Sequence, residues 1–128
     1  MFYFKYESNM RFIPTFAHGV IDYTVGTLMT SSPLMNVFKG KKEQSILFAM
    51  GSGATIYSLF TNYELGAVKK LPVRWHLNFD ILSGAFLAAS PWLFKLKKES
   101  QVPFVLLGLF EISAGLLTKT EPDNLVAA

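Results

Sequence analysis

The chain has 128 residues, of which 51% are hydrophobic, 15% aromatic and only 16% charged, against about 25% charge in an ordinary soluble protein. It contains no cysteine, which excludes disulfides, thiolate metal sites and c-type haem attachment. The formal net charge of +3 does not point to nucleic acid, because the lysines gather at the ends of apolar segments, where lipid headgroups would meet them.

Residues 1–11 mix aromatic and charged side chains and lack the basic-then-apolar order of a cleaved signal. Four apolar segments follow, at 12–38, 45–61, 71–94 and 102–118. A helix needs about 20 residues to cross roughly 30 Å of hydrocarbon. The first and third segments are long enough, and the second and fourth reach the short limit with help from flanking Tyr63 and Lys119 at the interface. A soluble bundle helix would show a polar face. Segment 102–118 shows none, Glu111 being its one charge, and segment 45–61 carries no charge at all. The expected fold is an all-α membrane protein with four transmembrane helices in a single domain, 1–128.

An internal repeat organises these segments. At an offset of 58, Pro14 falls on Pro72, His18 on His76, Asp22 on Asp80, Gly26 on Gly84, Ser32 on Ser90 and Pro33 on Pro91. Lys39, Lys41, Lys42 and Glu43 match Lys95, Lys97, Lys98 and Glu99 at 56, while Gly51, Thr61 and Glu64 match Gly108, Thr118 and Glu121 at 57. The chain is therefore read as two tandem two-helix units, about 12–64 and 70–121. An even number of spans per unit gives both copies the same orientation, related by a pseudo-two-fold axis along the membrane normal. Each leading Pro suits a helix start, and each Ser-Pro ends or kinks its helix at the far side.

The segment from Asp80 through Ser90-Pro91-Trp92 to Phe94 resembles the signature of the SPW-repeat family of small bacterial membrane proteins, a frequently duplicated two-helix unit with Ser-Pro-Trp in its first helix. The first copy departs from it with Ser32-Pro33-Leu34. The resemblance implies a multi-pass protein of the cytoplasmic (inner) membrane and supplies no catalytic residues. Six Lys and Arg flank the spans on each side, so the positive-inside rule ties. The family pattern places both termini in the cytoplasm.

His18 and Asp22, like His76 and Asp80, lie four apart and share a helix face, so each Asp can accept a hydrogen bond from its own His. Gly26 and Gly84 continue that face as small-xxx-small patterns with Thr30 and Ala88, and both faces are expected to converge on the pseudo-two-fold axis. Three readings are open. The pairs are a polar lock, or Asp22 and Asp80 carry protons or ions, or His18 and His76 ligate a b-type haem. Glu111 aligns with Ala54, so duplication does not explain it. It is either hydrogen-bonded to Ser83, Ser113 or a tyrosine, or it binds a proton or ligand. Glu64 and Glu121 are expected to meet Lys69, Lys70 or Arg74. Gly51-Ser52-Gly53 lacks the lysine of a phosphate loop, and no metal-ligand spacing or catalytic triad is present. The expected function is therefore a non-enzymatic structural or interaction module without metal or cofactor. Its partners would be the bilayer and a second copy or another membrane protein, with a binding site for proton, ligand or haem as the alternative. Exposed small residues at Gly51, Gly53, Gly108, Ala114 and Gly115 favour a homo-oligomer.

Overall fold

Pro14 and Pro72 each precede a helix as its N-cap, with φ fixed near −60° and an extended ψ. Their carbonyls accept the first intrahelical bonds, from the amides of His18 and His76. In the computed structural model, which describes residues 10–122, these prolines open α1 (Thr15–Ser31) and α3 (Val73–Leu93). The partner helices are α2 (Lys41–Leu59) and α4 (Gln101–Leu117), the latter entered through a 3-10 turn, Lys98–Ser100. The described residues contain no strand, only two isolated backbone bridges. Residues 1–9, most of the segment read as an uncleaved terminus, and residues 123–128 lie outside the described residues.

The first span is shorter than its apolar run. α1 stops at Ser31, and residues 32–37 turn even though Leu34, Met35 and Val37 are apolar. α3 continues through Pro91 to Leu93. Both turns close by the same device: Asn36 and Lys95 adopt φ of 53° and 52°, and the next amide returns to Ser32 or Pro91. Among the described residues, one helical stretch, Lys98–Leu117, is long and apolar enough to cross a membrane by length and composition. The Ser-Pro turn shortens α1, α2 opens on Lys41-Lys42-Glu43, and α3 carries Arg74, His76 and Asp80.

Within each unit the helices meet at glycine. A Cβ on Gly51 would lie 2.7 Å from the Gly26 carbonyl, and one on Gly84 would lie 2.6 Å from the Gly108 carbonyl. The duplicated glycines thus pack each first helix on its own second helix. They do not line the axis between the units, as the shared face with His and Asp had suggested, because steps of four residues drift around a helix of 3.6 residues per turn. Gly51, Gly108, Ala114 and Gly115 are buried within the chain, and only Gly53 among these has open space beside it. The small surfaces that favoured self-association are mostly used internally.

Backbone packing is extensive within each unit and sparse between units, so long side chains join the two halves. On the lysine-rich side, Met29, Leu47, Leu87, Leu96 and Phe104 form an apolar core. Above it, Glu43 accepts bonds from the Lys97 amide (2.8 Å) and the Ser100 hydroxyl (3.2 Å). At the opposite end two equivalent joints close the structure. Leu71 donates to Phe60 and accepts from Asn62, while Ile13 donates to Leu117 and accepts from Lys119. The Arg11 guanidinium covers the Gly115 and Thr118 carbonyls that end α4, at 2.8 Å each. Glu64 lies against the start of α1. It accepts the Thr15 hydroxyl (2.6 Å) at the first turn of α1, where the helix dipole favours a carboxylate.

Candidate functional site

The register that equates Pro14 with Pro72 sets His18 and His76 one turn into α1 and α3, with Asp22 and Asp80 one turn further. All four side chains converge between the two helices, the imidazoles edge to face with centroids 5.2 Å apart. The pairing crosses between repeats. His18 Nε2 lies 2.8 Å from Asp80 and 3.1 Å from its own Asp22, and His76 Nε2 lies 3.0 Å from Asp22 and 3.3 Å from its own Asp80. The expected hydrogen bond runs from each His to its own Asp; the one formed by His18 Nε2 instead crosses to Asp80, and the own-unit contacts are ion-pair distances.

The hydrogen-bond network fixes the ring tautomers. The Thr118 hydroxyl donates to the Ala114 carbonyl at 2.6 Å, so it can only accept from His18 Nδ1, 2.7 Å away. Thr61 donates to the Tyr57 carbonyl and accepts from His76 Nδ1, both at 2.6 Å. Both Nε2 atoms are thereby turned toward the carboxylates. Tyr63 donates to Asp22 (2.8 Å) and Tyr57 donates to Asp80. Burial, with the Asp22 charge beside it, pushes the Tyr63 phenol up, which keeps it a donor. His76 is fully buried, and although two carboxylate oxygens lie near its Nε2, neither is aligned for a hydrogen bond.

Glu111 accepts from Ser83 at 3.0 Å, one of the partners expected for it. It lines a narrow cleft of about 20 Å³ with His18, Asp22, Tyr57 and Asp80, room for a single water. The sequence reading missed Tyr57, Tyr63, Thr61 and Thr118 as parts of the site. For the threonines a signal existed, since Thr61 and Thr118 match in the repeat. The tyrosines have no such signal, because Tyr57 aligns with Ala114 and Tyr63 with Thr120.

Chemically the cluster is a set of two imidazoles and two carboxylates shielded from solvent, able to hold protons or a cation between them. A haem bridging the histidines is disfavoured by this geometry. Asp80 Oδ2 stands within 3.3 Å of both Nε2 atoms, and a porphyrin would have to displace it. No family model matches the chain, nor does any curated protein or solved structure, so the resemblance carried by Ser90-Pro91-Trp92 stands on its own residues.

Proposed function

We propose that the chain is a compact, non-enzymatic membrane module: two duplicated helix pairs embedded as four spans in the cytoplasmic membrane and locked together by the His–Asp cluster. SPW-repeat membership and the pseudo-two-fold along the membrane normal belong to the same reading. Its partners are the bilayer and, through the exposed helix faces, another membrane protein or a second copy.

The observation that carries it is an inverted distribution of polarity. Among the described residues, nine buried side chains are hydrophobic and eleven are polar or charged, while 25 large hydrophobic residues are exposed. In water a surface of that kind would aggregate, whereas in lipid it is the expected exterior. Averaged hydropathy understates this, because His18, Asp22, His76 and Asp80, which dilute α1 and α3, point inward. The exposed hydroxyls of Thr24 and Ser113 are satisfied without water, donating to the Val20 and Leu109 carbonyls, as hydrocarbon requires. α1 is short, about 25 Å at 1.5 Å per residue, and the apolar turn at Leu34 and Met35 extends its lipid-facing surface.

The test is alkaline carbonate extraction of membranes from expressing cells, combined with single-cysteine labelling, for which the cysteine-free chain is ready-made. Retention in the membrane is expected, with cysteines at Lys41 and Lys97 labelled from one side and a cysteine at Lys69 from the other. Release as a monodisperse protein in detergent-free buffer would overturn the proposal.

A further inference from the structure

The polar lock has an unfilled requirement at its centre. Each Nδ1 spends its proton on a threonine hydroxyl whose own hydrogen is committed to a backbone carbonyl. What faces inward is then two Nε2 atoms and two carboxylates, a set made of acceptors unless something positive lies among them. We propose that His18, Asp22, His76 and Asp80 bind one divalent first-row transition ion, of the zinc class, between the two repeats.

The dimensions fit. One ligand atom from each residue lies within 4.8 Å of every other, and the four nitrogen-to-oxygen separations run from 2.8 to 3.3 Å. An ion about 2.0–2.1 Å from each of four tetrahedral ligands spaces them roughly 3.3 Å apart. Asp22 faces His18 with Oδ1 and His76 with Oδ2, so seating the ion turns one of these oxygens inward and closes separations of up to 4.8 Å by up to about 1.5 Å, a movement of side chains. His76 Nε2, on a fully buried ring, aims into this space and makes no hydrogen bond there. A transition ion is the partner that atom lacks.

The surroundings match what such sites need. A ligating imidazole is held by a hydrogen bond from its other nitrogen, which Thr118 and Thr61 provide in symmetric fashion. Tyr57 and Tyr63 orient the carboxylates. Two imidazoles with two carboxylates suit Zn²⁺, Mn²⁺, Fe²⁺ or Co²⁺, while the all-oxygen demand of Ca²⁺ and Mg²⁺ and the sulfur preference of Cu⁺ are not met. A dication with two carboxylates makes a neutral site, and in its absence the same neutrality takes two protons. Loading is thus an exchange, one M²⁺ in and two H⁺ out. The narrow cleft beside Glu111 leads to the cluster.

The experiment uses the full chain, purified in mild detergent and stripped with a chelator, titrated with Co²⁺ and then Zn²⁺. The expected result is one Co²⁺ per chain with visible bands of tetrahedral intensity, two protons released per ion in weak buffer, and displacement by Zn²⁺. Thr61→Val and Thr118→Val keep all four ligands and should weaken Co²⁺ binding about 10–100-fold. His76→Ala should abolish the bands. Because His76→Ala empties a fully buried position and is checked for folding by circular dichroism, the threonine variants and the wild-type stoichiometry decide the matter. A folded wild type that develops no such bands would overturn the proposal. So would binding that the threonine variants leave unchanged, which marks adventitious surface sites.

Discussion

Replacing Gly84 with alanine tests whether the helices of a unit meet at their backbones. The added methyl would lie 2.6 Å from the Gly108 carbonyl oxygen and 2.9 Å from the Ile112 amide nitrogen. Both belong to α4 and neither can rotate away. Ordinary contact is near 3.5 Å, so α4 must retreat by about 0.9 Å, and a gap of that size forfeits a quarter to a half of the dispersion well along the seam. Overpacking of this kind costs about 1–3 kcal/mol. Alanine also gains about 0.5–1 kcal/mol over glycine in a helix. Gly53→Ala, where the methyl meets open space, isolates that gain, so the difference between the two variants is the packing cost of about 1–3 kcal/mol. Reversible unfolding in mild detergent, followed by helical circular dichroism, should show Gly53→Ala slightly more stable than wild type and Gly84→Ala clearly less stable than Gly53→Ala. Equal stability of the two variants would refute the close glycine seam.

Three further outcomes are expected. Tyr63→Phe removes a buried donor from the Asp22 carboxylate and should cost about 1.5–3 kcal/mol in the same unfolding measurement. Glu43, which precedes the apolar run 45–61, is pushed upward by burial, but the Lys97 amide, its own amide and the Ser100 hydroxyl outweigh this and hold it below its ordinary 4.5. A lowered folded pKa stabilises the protein above 4.5 and ceases to do so as pH falls through the folded value. Wild type should therefore lose stability relative to Glu43→Gln below about pH 4.5 in a pH series of melts, the gap staying constant from pH 6 to 8. Lys95→Gly relieves a left-handed backbone at φ 52° and should raise stability by up to about 1 kcal/mol, read as an upward shift of the melt.

The repeat made much of this legible. Once Pro14 is set over Pro72, the helix starts and the two-unit pattern follow from the register, and the meeting of His18 with His76 follows from the cost of leaving ionisable groups on an apolar helix surface. What register does not encode is which helix lies across from a given face. Gly26 and Asp22 are four apart, yet Gly26 meets α2 while Asp22 meets His76 of α3, and only three-dimensional packing separates those directions. Apolar content also misplaced the end of α1. Leu34, Met35 and Val37 read as span residues, but the backbone turns there after Ser32-Pro33, and hydrophobicity carries no information about that turn. Tyr57 and Tyr63 were invisible because they break the repeat. Glu111 breaks it too and was noticed, since an acid in an apolar run is expensive while a tyrosine is not.

The two backbone joints, Ile13 with Thr118 and Leu71 with Thr61, bear on the origin of the chain. In each, the start of one unit grips the end of a unit: its own chain neighbour at one joint, the far terminus at the other. Both joints are built from equivalent residues, so neither joint depends on the covalent link between the units. A two-helix ancestor could have closed on itself as a symmetric pair and offered one His and one Asp from each partner. Fusion then made the halves distinguishable to mutation for the first time. Tyr57 against Ala114, Tyr63 against Thr120 and Glu111 against Ala54 are differences that a homodimer is forbidden to hold, and all three lie around the cluster.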